Sequence, residues 1–436
     1  MRRVFSGFTT FIVAASLIGC VAGPPEEAPA DGTTQTDHTG MQTAGLHIEA
    51  TAPLVQTLPS EMAPTAAQEA LAQQAEENLC DTVCAVRQWV ADERYAEARE
   101  VLDAELQDRP EDVETTLLLT SVDLADEEYD AAYARAQASL SSGEQADIRL
   151  LERRAQASLR NDDVETAVVD FSDLIDALQS HTDDICGALS GHCAPPLTHE
   201  AHAWIGLATA QYNRGEVAAA ETIASDVLAD SLSEQLDPAH SQFILALTAS
   251  KRGENELAKA QYNRILRRHP TNPATLNNMG GLYYRDGDLA TARTYFLAAY
   301  EYAGKHRRTA AIAWSNVAEV DLLEGEYEAS EDKLLESLSI SKRFAAGHFG
   351  LAVLYDVLHR YDDAQEHMTL ALALDTQSVT RWNMTWYTVD WEKHFKALVA
   401  ESENRHDEAT ALWAQLARCS NELLRDTANR HLSAHQ

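Results

Sequence analysis

A small side chain recurs along this sequence at steps centred on 34 residues, and this recurrence constrains the fold more than any other feature. The positions are Ala98, Ala132, Ala167, Ala220, Ala258, Ala292, Ser330, Ala364 and Ala409. Successive steps are 34, 35, 53, 38, 34, 38, 34 and 45 residues, which we interpret as one 34-residue unit with occasional loop insertions. Such a recurrence indicates stacked supersecondary units that bury their apolar faces against one another.

Turn residues keep a fixed distance from the small residue. Glycine stands five positions before it in four units, where a turn between two helices favours a positive φ. These glycines are Gly215, Gly253, Gly287 and Gly325. Acidic residues take the same place in the earlier units, at Glu93, Glu127 and Asp162. The units before residue 180 are therefore weaker matches than those over 200–376.

The clearest unit runs from Pro273 to His306. It carries Leu276, Met279, Gly280, Tyr283, Gly287, Leu289, Ala292, Phe296 and Ala299. This unit resembles the tetratricopeptide repeat, a helix–turn–helix of 34 residues. Gly280 and Ala292 then lie where the two helices cross, because only small side chains permit that approach.

The resemblance implies an all-α fold: a right-handed tetratricopeptide-type solenoid of about eight or nine helical hairpins, with a concave groove lined by the first helix of each hairpin. Repeats of this family act mostly as scaffolds for protein–protein interactions. The sequence also has no Gly-rich phosphate loop, no His-Glu-x-x-His and no Gly-x-Ser-x-Gly motif. We therefore expect a non-enzymatic protein without a cofactor.

The N-terminus is typical of an exported lipoprotein. Arg2 and Arg3 precede an apolar run from Phe8 to Ile18, which is shorter than the ~20 residues that span a bilayer. Leu17-Ile18-Gly19-Cys20 resembles the lipobox of bacterial lipoproteins, in which the cysteine is acylated and becomes the new N-terminus. Val21, where an inner-membrane lipoprotein carries Asp, favours the outer membrane by family analogy. The alternative is an ordinary signal peptide with a chance cysteine.

The segment that follows Cys20 predicts a disordered tether. Six of the twelve prolines fall in it, and it holds six acids without Lys or Arg. The sequence thus predicts six regions. They are a signal peptide (1–19), the lipidated Cys20 with its tether (20–65), acidic helical repeats (66–177), a cysteine-containing insertion (178–199), well-formed repeats (200–376) and aromatic-rich capping helices (377–436).

The cysteines of the insertion favour a disulfide. Cys186 and Cys193 bracket a short loop, and a lipoprotein matures in an oxidising envelope. A bridge between Cys80 and Cys84 is also open. The alternative at the insertion is a zinc site, since histidines surround the Cys186/Cys193 loop. These histidines are His181, His192, His199 and His202. No strong metal motif is present, so we expect no metal.

Twelve residues occupy the family's groove positions. They are Ile205, Tyr212, Asn213, Phe243, Lys251, Asn277, Tyr284, Arg285, Ser315, Glu319, Phe349 and Asp356. Their mixture of aromatic and hydrogen-bonding groups is typical of a peptide-binding surface, and the alternative for each is an ordinary packing side chain. The carboxylate clamp of some family members is not reproduced, because only Asn277 matches it.

Two local clusters leave two interpretations open. Trp382, Trp386, Tyr387 and Trp391 predict either packing that closes the end of the array or an exposed anchor for a partner. Residues 305–308 form a basic loop, which is either a solvated turn or a contact for phosphate groups or an acidic partner.

Charge limits the choice of partner. The net charge of −35 excludes nucleic acid bound through a basic face. Residues 66–177 hold 28 acids and 9 bases, whereas residues 178–436 hold 35 and 23. We therefore expect any charge-steered partner to meet the N-terminal repeats with a basic surface.

The sequence as a whole predicts a scaffold or assembly factor for envelope proteins, anchored by lipid in the outer membrane and facing the periplasm or the cell surface. The alternative is a protein that binds an envelope glycan or small ligand in the groove.

Overall fold

The computed structural model describes residues 82–142, 147–180, 196–233, 237–304, 306–384 and 387–434. These ranges contain twenty helices and no strand. In chain order the helices are α1 (82–91), α2 (Tyr95–Asp108), α3 (Val113–Ala125), α4 (Tyr129–Ser142), α5 (Ile148–Arg160), α6 (Val164–Ser180), α7 (Pro196–Asn213), α8 (Val217–Ser233), α9 (Ala239–Lys251), α10 (Asn255–Arg268), α11 (Pro273–Arg285), α12 (Leu289–Ala303), α13 (Arg307–Glu324), α14 (Tyr327–Ile340), α15 (Ala345–Val357), α16 (Tyr361–Leu374), α17 (Val379–Asn383), α18 (Val389–Ser402), α19 (His406–Leu416) and α20 (Glu422–Ala434).

The helices pair into antiparallel hairpins that stack in sequence. Within the described ranges, α1/α2 to α15/α16 form hairpins 1 to 8, and α18/α19 form hairpin 9. The short α17 joins hairpins 8 and 9, and α20 packs on α19 after the last hairpin. This stack confirms the predicted all-α solenoid and agrees with eight or nine repeats.

Local sequence explains where the helices begin. Asn272 caps α11 by accepting a hydrogen bond from the Thr275 amide, and Pro273 follows at the first helical position. Asp112 caps α3 in the same way, through the Thr115 amide. These caps satisfy amides that have no partner inside the helix.

The predicted small residues lie at helix crossings. A Cβ placed on Gly280 would stand 2.6 Å from the Phe296 ring and 3.2 Å from the Ala292 carbonyl oxygen, so α11 and α12 approach too closely for a side chain there. Gly206 of α7 is similar, because a Cβ would stand 2.2 Å from the ring of Phe171 in α6. The repeat spacing therefore located the crossing of α11 and α12 correctly, whereas the contact of Gly206 between hairpins 3 and 4 was not predicted.

The turns inside the hairpins have positive φ where the sequence predicted it. Gly287 and Gly325 have φ of 82° and 84°. Glu93, Glu127 and Asp162 hold the same left-handed conformation, with φ of 57°, 64° and 58°. The three acidic residues thus replace glycine without changing the turn.

The core is continuous over the C-terminal half. One apolar cluster extends from Ile205 in hairpin 4 to Ala428 in α20, and smaller clusters fill the earlier hairpins. None of the helices in the described part of the chain is both long and apolar enough to cross a membrane. The predicted signal peptide, Cys20 and the tether lie outside the described residues and stay predictions.

Candidate functional site: the concave groove

The twelve predicted groove residues all lie on the first helices of hairpins 4 to 8. Nine of them are buried, whereas Lys251, Arg285 and Glu319 are half-buried. The buried members are Ile205, Tyr212, Asn213, Phe243, Asn277, Tyr284, Ser315, Phe349 and Asp356. Burial of these nine fits the alternative of ordinary packing side chains. Binding of a partner by these residues stays a prediction.

The chain itself covers part of this face. Asn383, at the end of α17, donates to the Asn213 side-chain oxygen at 3.5 Å, and Met384 is 1% exposed. Met384 lines a small cavity together with Ser315 and Glu319 of α13.

Tyr387 continues this cover. Its ring centroid is 5.7 Å from that of Tyr284, and its main chain hydrogen-bonds the Tyr284 hydroxyl. Asn383, Met384 and Tyr387 thus contact hairpins 4, 7 and 6 respectively. The sequence carried no signal for this placement beyond the density of aromatic residues.

The aromatic cluster contributes to packing where it is described. Tyr387 lies on the groove, and Trp391 is buried beside His394 with ring centroids 5.8 Å apart. These two residues fit the packing interpretation. The side chains of Trp382 and Trp386 lie outside the described part.

Polar side chains inside the groove form short networks. Asn316 donates to the Asn277 oxygen at 2.8 Å, and Asn278 donates to the Tyr262 hydroxyl at 3.1 Å. The Tyr284 hydroxyl donates to a carboxylate oxygen of Glu319. Such networks fix the relative register of neighbouring hairpins, because buried polar groups are costly without partners.

Burial shifts the pKa values of three titratable groups in the groove. Burial, and then the nearby Arg285 guanidinium, lowers the pKa of Lys251 to about 7. Burial raises the pKa of Glu319 to about 8, against the hydrogen bond from Tyr284, which favours the charged carboxylate. Burial also lowers the pKa of Arg285, whose guanidinium donates to the Ser250 hydroxyl at 2.6 Å.

At the C-terminal end of the groove, Asp356 anchors the terminal helix. His394 of α18 and His431 of α20 both place Nε2 on its carboxylate, at 2.6 Å and 2.9 Å. His431 Nδ1 contacts Glu401 at 3.2 Å, and Trp413 stacks on the His431 ring with centroids 4.1 Å apart. These partners stand 38 and 75 residues from Asp356, so no local spacing signalled them.

The contacts in this cluster shift the pKa values of His431 and Asp356. Burial opposes protonation of His431, but the hydrogen bonds to Asp356 and Glu401 outweigh it and raise its pKa to about 9. Burial likewise opposes ionisation of Asp356, yet the two histidines hold its pKa below the ordinary value. His431 is thus an imidazolium between two carboxylates at neutral pH.

A cavity of about 820 Å³ opens beside this cluster, between hairpins 8 and 9 and α20. Its wall combines apolar side chains such as Met368 and Leu398 with polar ones such as Gln365 and Asn429. Cavities of this volume suit small ligands.

The structure describes only part of the predicted cysteine and metal sites. Cys20, Cys80, Cys186, Cys193, His181 and His192 lie outside the described residues, as does the side chain of His199. His202 packs edge-on against His240. Within the described ranges, Cys84 and Cys419 are free thiols, and no group of three or more His, Cys, Asp or Glu is arranged to hold a metal ion.

The basic loop meets the chain's own N-terminal repeats. Arg308 donates to the Asp162 carboxylate at 3.0 Å and to the Arg160 carbonyl at 3.0 Å. Arg307 donates to the Ile340 carbonyl at 2.8 Å. Arg307 and Arg308 thus form the first turn of α13 and not a solvated loop, while residue 305 lies outside the described ranges.

A comparison with protein families supports the fold assignment in part of the chain. The family model described as a tetratricopeptide repeat matches residues 272–343, which include α11 to α14. These helices match the tetratricopeptide repeat, which supports the resemblance of the unit from Pro273 to His306. No curated protein matches the chain.

Solved structures of similar shape share little sequence. The APC/C hetero-tetramer Cut9–Hcn1 is 17% identical with a TM-score of 0.44, over 74% of this chain and 55% of that one. This chain thus spans about half the length of that neighbour. PilF of Pseudomonas aeruginosa is 18% identical over 55% of this chain and 99% of its own, with a TM-score of 0.36. A Rap protein complexed with Competence and Sporulation Factor is 13% identical over 83% of this chain and 99% of its own, with a TM-score of 0.48.

Proposed function

We propose that this chain is a non-catalytic protein-interaction scaffold of the bacterial cell envelope, held at the outer membrane by a lipid on Cys20. The observation that carries the proposal is the match of residues 272–343 to tetratricopeptide repeats. The predicted groove residues that are half-buried, Lys251, Arg285 and Glu319, offer polar groups to a peptide segment of a partner. A role as an assembly factor for an envelope machine belongs to the same proposal.

Site-specific crosslinking tests the scaffold function. A photo-reactive residue replaces half-buried Arg285 in the groove of the full chain, within bacterial cells that produce it. The matched control places the same residue at Leu297, which lies on α12 and is 42% exposed. We expect one defined envelope protein to crosslink from Arg285 and not from Leu297. The same products from both positions, or none from either, would contradict groove binding.

The lipid anchor is tested separately. A Cys20→Ser variant of the full chain should lose its lipid and move from the membrane fraction to the soluble fraction, with an unchanged helical signal in circular dichroism. Retention in the membrane fraction would contradict anchoring through Cys20.

Binding of an envelope glycan or another small ligand is a second candidate. The cavity of about 820 Å³ beside Asp356 favours it, because its wall offers both apolar and polar side chains to a small molecule. Titration calorimetry with peptidoglycan fragments tests this candidate. We expect saturable binding that weakens in a Gln365→Ala variant, and absence of heat at millimolar fragment would exclude it.

A further inference from the structure

The turns of the N-terminal hairpins contact the loops that join the C-terminal hairpins. These contacts connect residues 126–130 and 160–164 with residues 308, 341–343 and 377, across more than 140 positions of sequence. We call this set the closing contacts. They bring hairpins 2 and 3 against hairpin 7, the loop that joins hairpins 7 and 8, and the segment between α16 and α17, so the solenoid closes on itself.

The first group of closing contacts lies at the turn between α3 and α4. Ser341 donates to the Glu127 carboxylate at 2.9 Å, in a buried position. Lys342 pairs with Asp126 at 3.4 Å, and Arg343 lies 3.6 Å from Asp130. Glu127 is the residue that stands in place of the turn glycine, so its left-handed backbone directs a carboxylate to the other end of the array.

The second group lies at the turn between α5 and α6. Asp162, which also replaces a turn glycine, receives the Arg308 guanidinium at 3.0 Å. The Gln377 amide donates to Asp163 at 2.8 Å and accepts from the Val164 amide at 2.9 Å. Both acidic turn residues thus contact a cation or a hydroxyl from the far hairpins.

The chemistry of the closing contacts is polar. In the described ranges, the apolar clusters that hold the two sides are separate: those of hairpins 2 and 3 contain no residue of hairpins 7 to 9. The pairs of Lys342 with Asp126 and of Arg343 with Asp130 are partly exposed, so each contributes little and is screened by salt. The Ser341–Glu127 hydrogen bond is buried and is screened less. A contact made of a few polar groups opens more easily than the apolar stacking between neighbouring hairpins.

We propose that the closing contacts are a reversible, salt-sensitive autoinhibitory device, in which the basic loops cover the acidic turns of hairpins 2 and 3 until a basic segment of a partner protein displaces them. The segment at Ser341, Lys342 and Arg343 shows the chemistry that these turns accept. The inference rests on the proposed scaffold function for the identity of the partner as a protein.

Small-angle X-ray scattering and hydrogen exchange of the full chain test the opening. The variant Arg308→Glu with Arg343→Glu should increase the radius of gyration and speed amide exchange at residues 161–164 about tenfold. The matched control is Arg252→Glu with Arg405→Glu. It carries the same change in charge but breaks only local pairs, with Glu221 and with Glu403 and Glu408.

The outcome in salt completes this test. The wild-type protein should approach the open dimensions as NaCl rises, and the control variant should behave like the wild type. Equal dimensions and equal exchange for the wild type, the opened variant and the control would overturn the proposal.

A peptide tests whether the acidic turns are covered. The probe is a fluorescent peptide with the sequence of residues 338–346, and its matched control carries Glu in place of both basic residues. We expect the opened variant to bind the basic probe at least about tenfold more tightly than the wild type or the control variant. Equal affinity for the three proteins would overturn the autoinhibitory role.

The two proposals fail in distinguishable ways. A chain that opens and binds the probe, yet gives no crosslink from Arg285, would retain the closing device and lose the scaffold function. A chain that crosslinks a partner from Arg285, yet shows no opening, would retain the scaffold function and lose the closing device.

Discussion

His431 is held between Asp356 and Glu401, and its charge stabilises the attachment of α20. Because its pKa of about 9 exceeds the ordinary value of 6.5, the folded protein keeps a proton that the unfolded chain releases. This contribution is fully present below pH ~6.5 and is lost as the pH rises through about 9. The lowered pKa of Asp356 acts at the opposite end, where stability falls as the carboxylate becomes protonated in acid.

We predict that His431→Gln lowers the free energy of unfolding by about 3 kcal/mol at pH 7, because it leaves Asp356 and Glu401 without the cation between them. The loss should shrink by about 2 kcal/mol between pH 7 and pH 10, as the wild type loses the same charge. Urea unfolding followed by tryptophan fluorescence, which includes the stacked Trp413, measures both effects. Parallel pH profiles for the two proteins would contradict the assignment.

Glu319 predicts the same direction of pH dependence as His431, over a lower range of pH. Its raised pKa of about 8 means that the folded protein holds a proton on a carboxyl that the unfolded chain loses above pH ~4.5. Stability therefore falls as the pH rises from 4.5 to 8. Glu319→Gln should stabilise the protein by roughly 1–2 kcal/mol at pH 8 and leave it unchanged at pH 4. Exposed Glu336→Gln on the next helix is the control, and an equal effect of both substitutions would contradict the role of burial.

At this scale the sequence predicted which side chains face inward but not what covers them. Tyr212, Asn277 and Phe349 follow from the repeat frame, because one helical face repeats with the unit. The contacts of Asn383 with Asn213 and of His431 with Asp356 do not, since they join positions 170 and 75 residues apart. Such pairs depend on the curvature of the array, which no local pattern encodes.

At the scale of the elements, the hairpin turns show that residues with the same backbone conformation differ in their tertiary contacts. A non-glycine residue with left-handed φ costs about 1 kcal/mol. His359 has φ of 65° in an exposed turn, whereas Asp162 has φ of 58° and binds Arg308. The same backbone strain is therefore offset at Asp162 by a contact that His359 lacks.

We predict that His359→Gly stabilises the protein by about 0.5–1 kcal/mol, because it removes the strain and no contact across the array. Asp162→Gly should give no gain or a loss, since it also leaves the Arg308 guanidinium without its carboxylate. Thermal unfolding of the two variants measures the difference. Equal stabilisation by both substitutions would show that Arg308 contributes nothing through Asp162.

The helices themselves follow from the sequence to a large extent. Pro273 opens α11 and Gly287 lies in the turn after it, as the 34-residue unit requires. The sequence did not predict the short α17 or its contacts with the groove, because this segment departs from the 34-residue unit. The hairpin α18/α19 formed although its spacing of 45 residues from the previous unit was irregular.

At the scale of the whole molecule, the closing contacts give a structural role to the excess of acidic residues in the N-terminal repeats. The acidic N-terminal repeats were expected to attract a basic partner, and within this chain they already contact Arg308, Lys342 and Arg343. A linear solenoid couples each repeat only to its neighbours. The closing contacts add coupling between hairpins that are distant in sequence.

This coupling predicts that a destabilising substitution in the C-terminal hairpins also increases hydrogen exchange in the N-terminal hairpins. Leu334→Ala leaves a cavity in hairpin 7, because Leu334 is buried at 3% exposure. In the wild-type background, we expect it to increase hydrogen exchange in hairpin 7 and also at the turns of hairpins 2 and 3. In the Arg308→Glu, Arg343→Glu background, the effect should stay within hairpin 7 and its neighbours. Site-resolved hydrogen exchange by mass spectrometry measures both. Spread of the effect through hairpins 6, 5 and 4 in turn, with no separate response at residues 126–130, would mean that stacking alone carries the coupling.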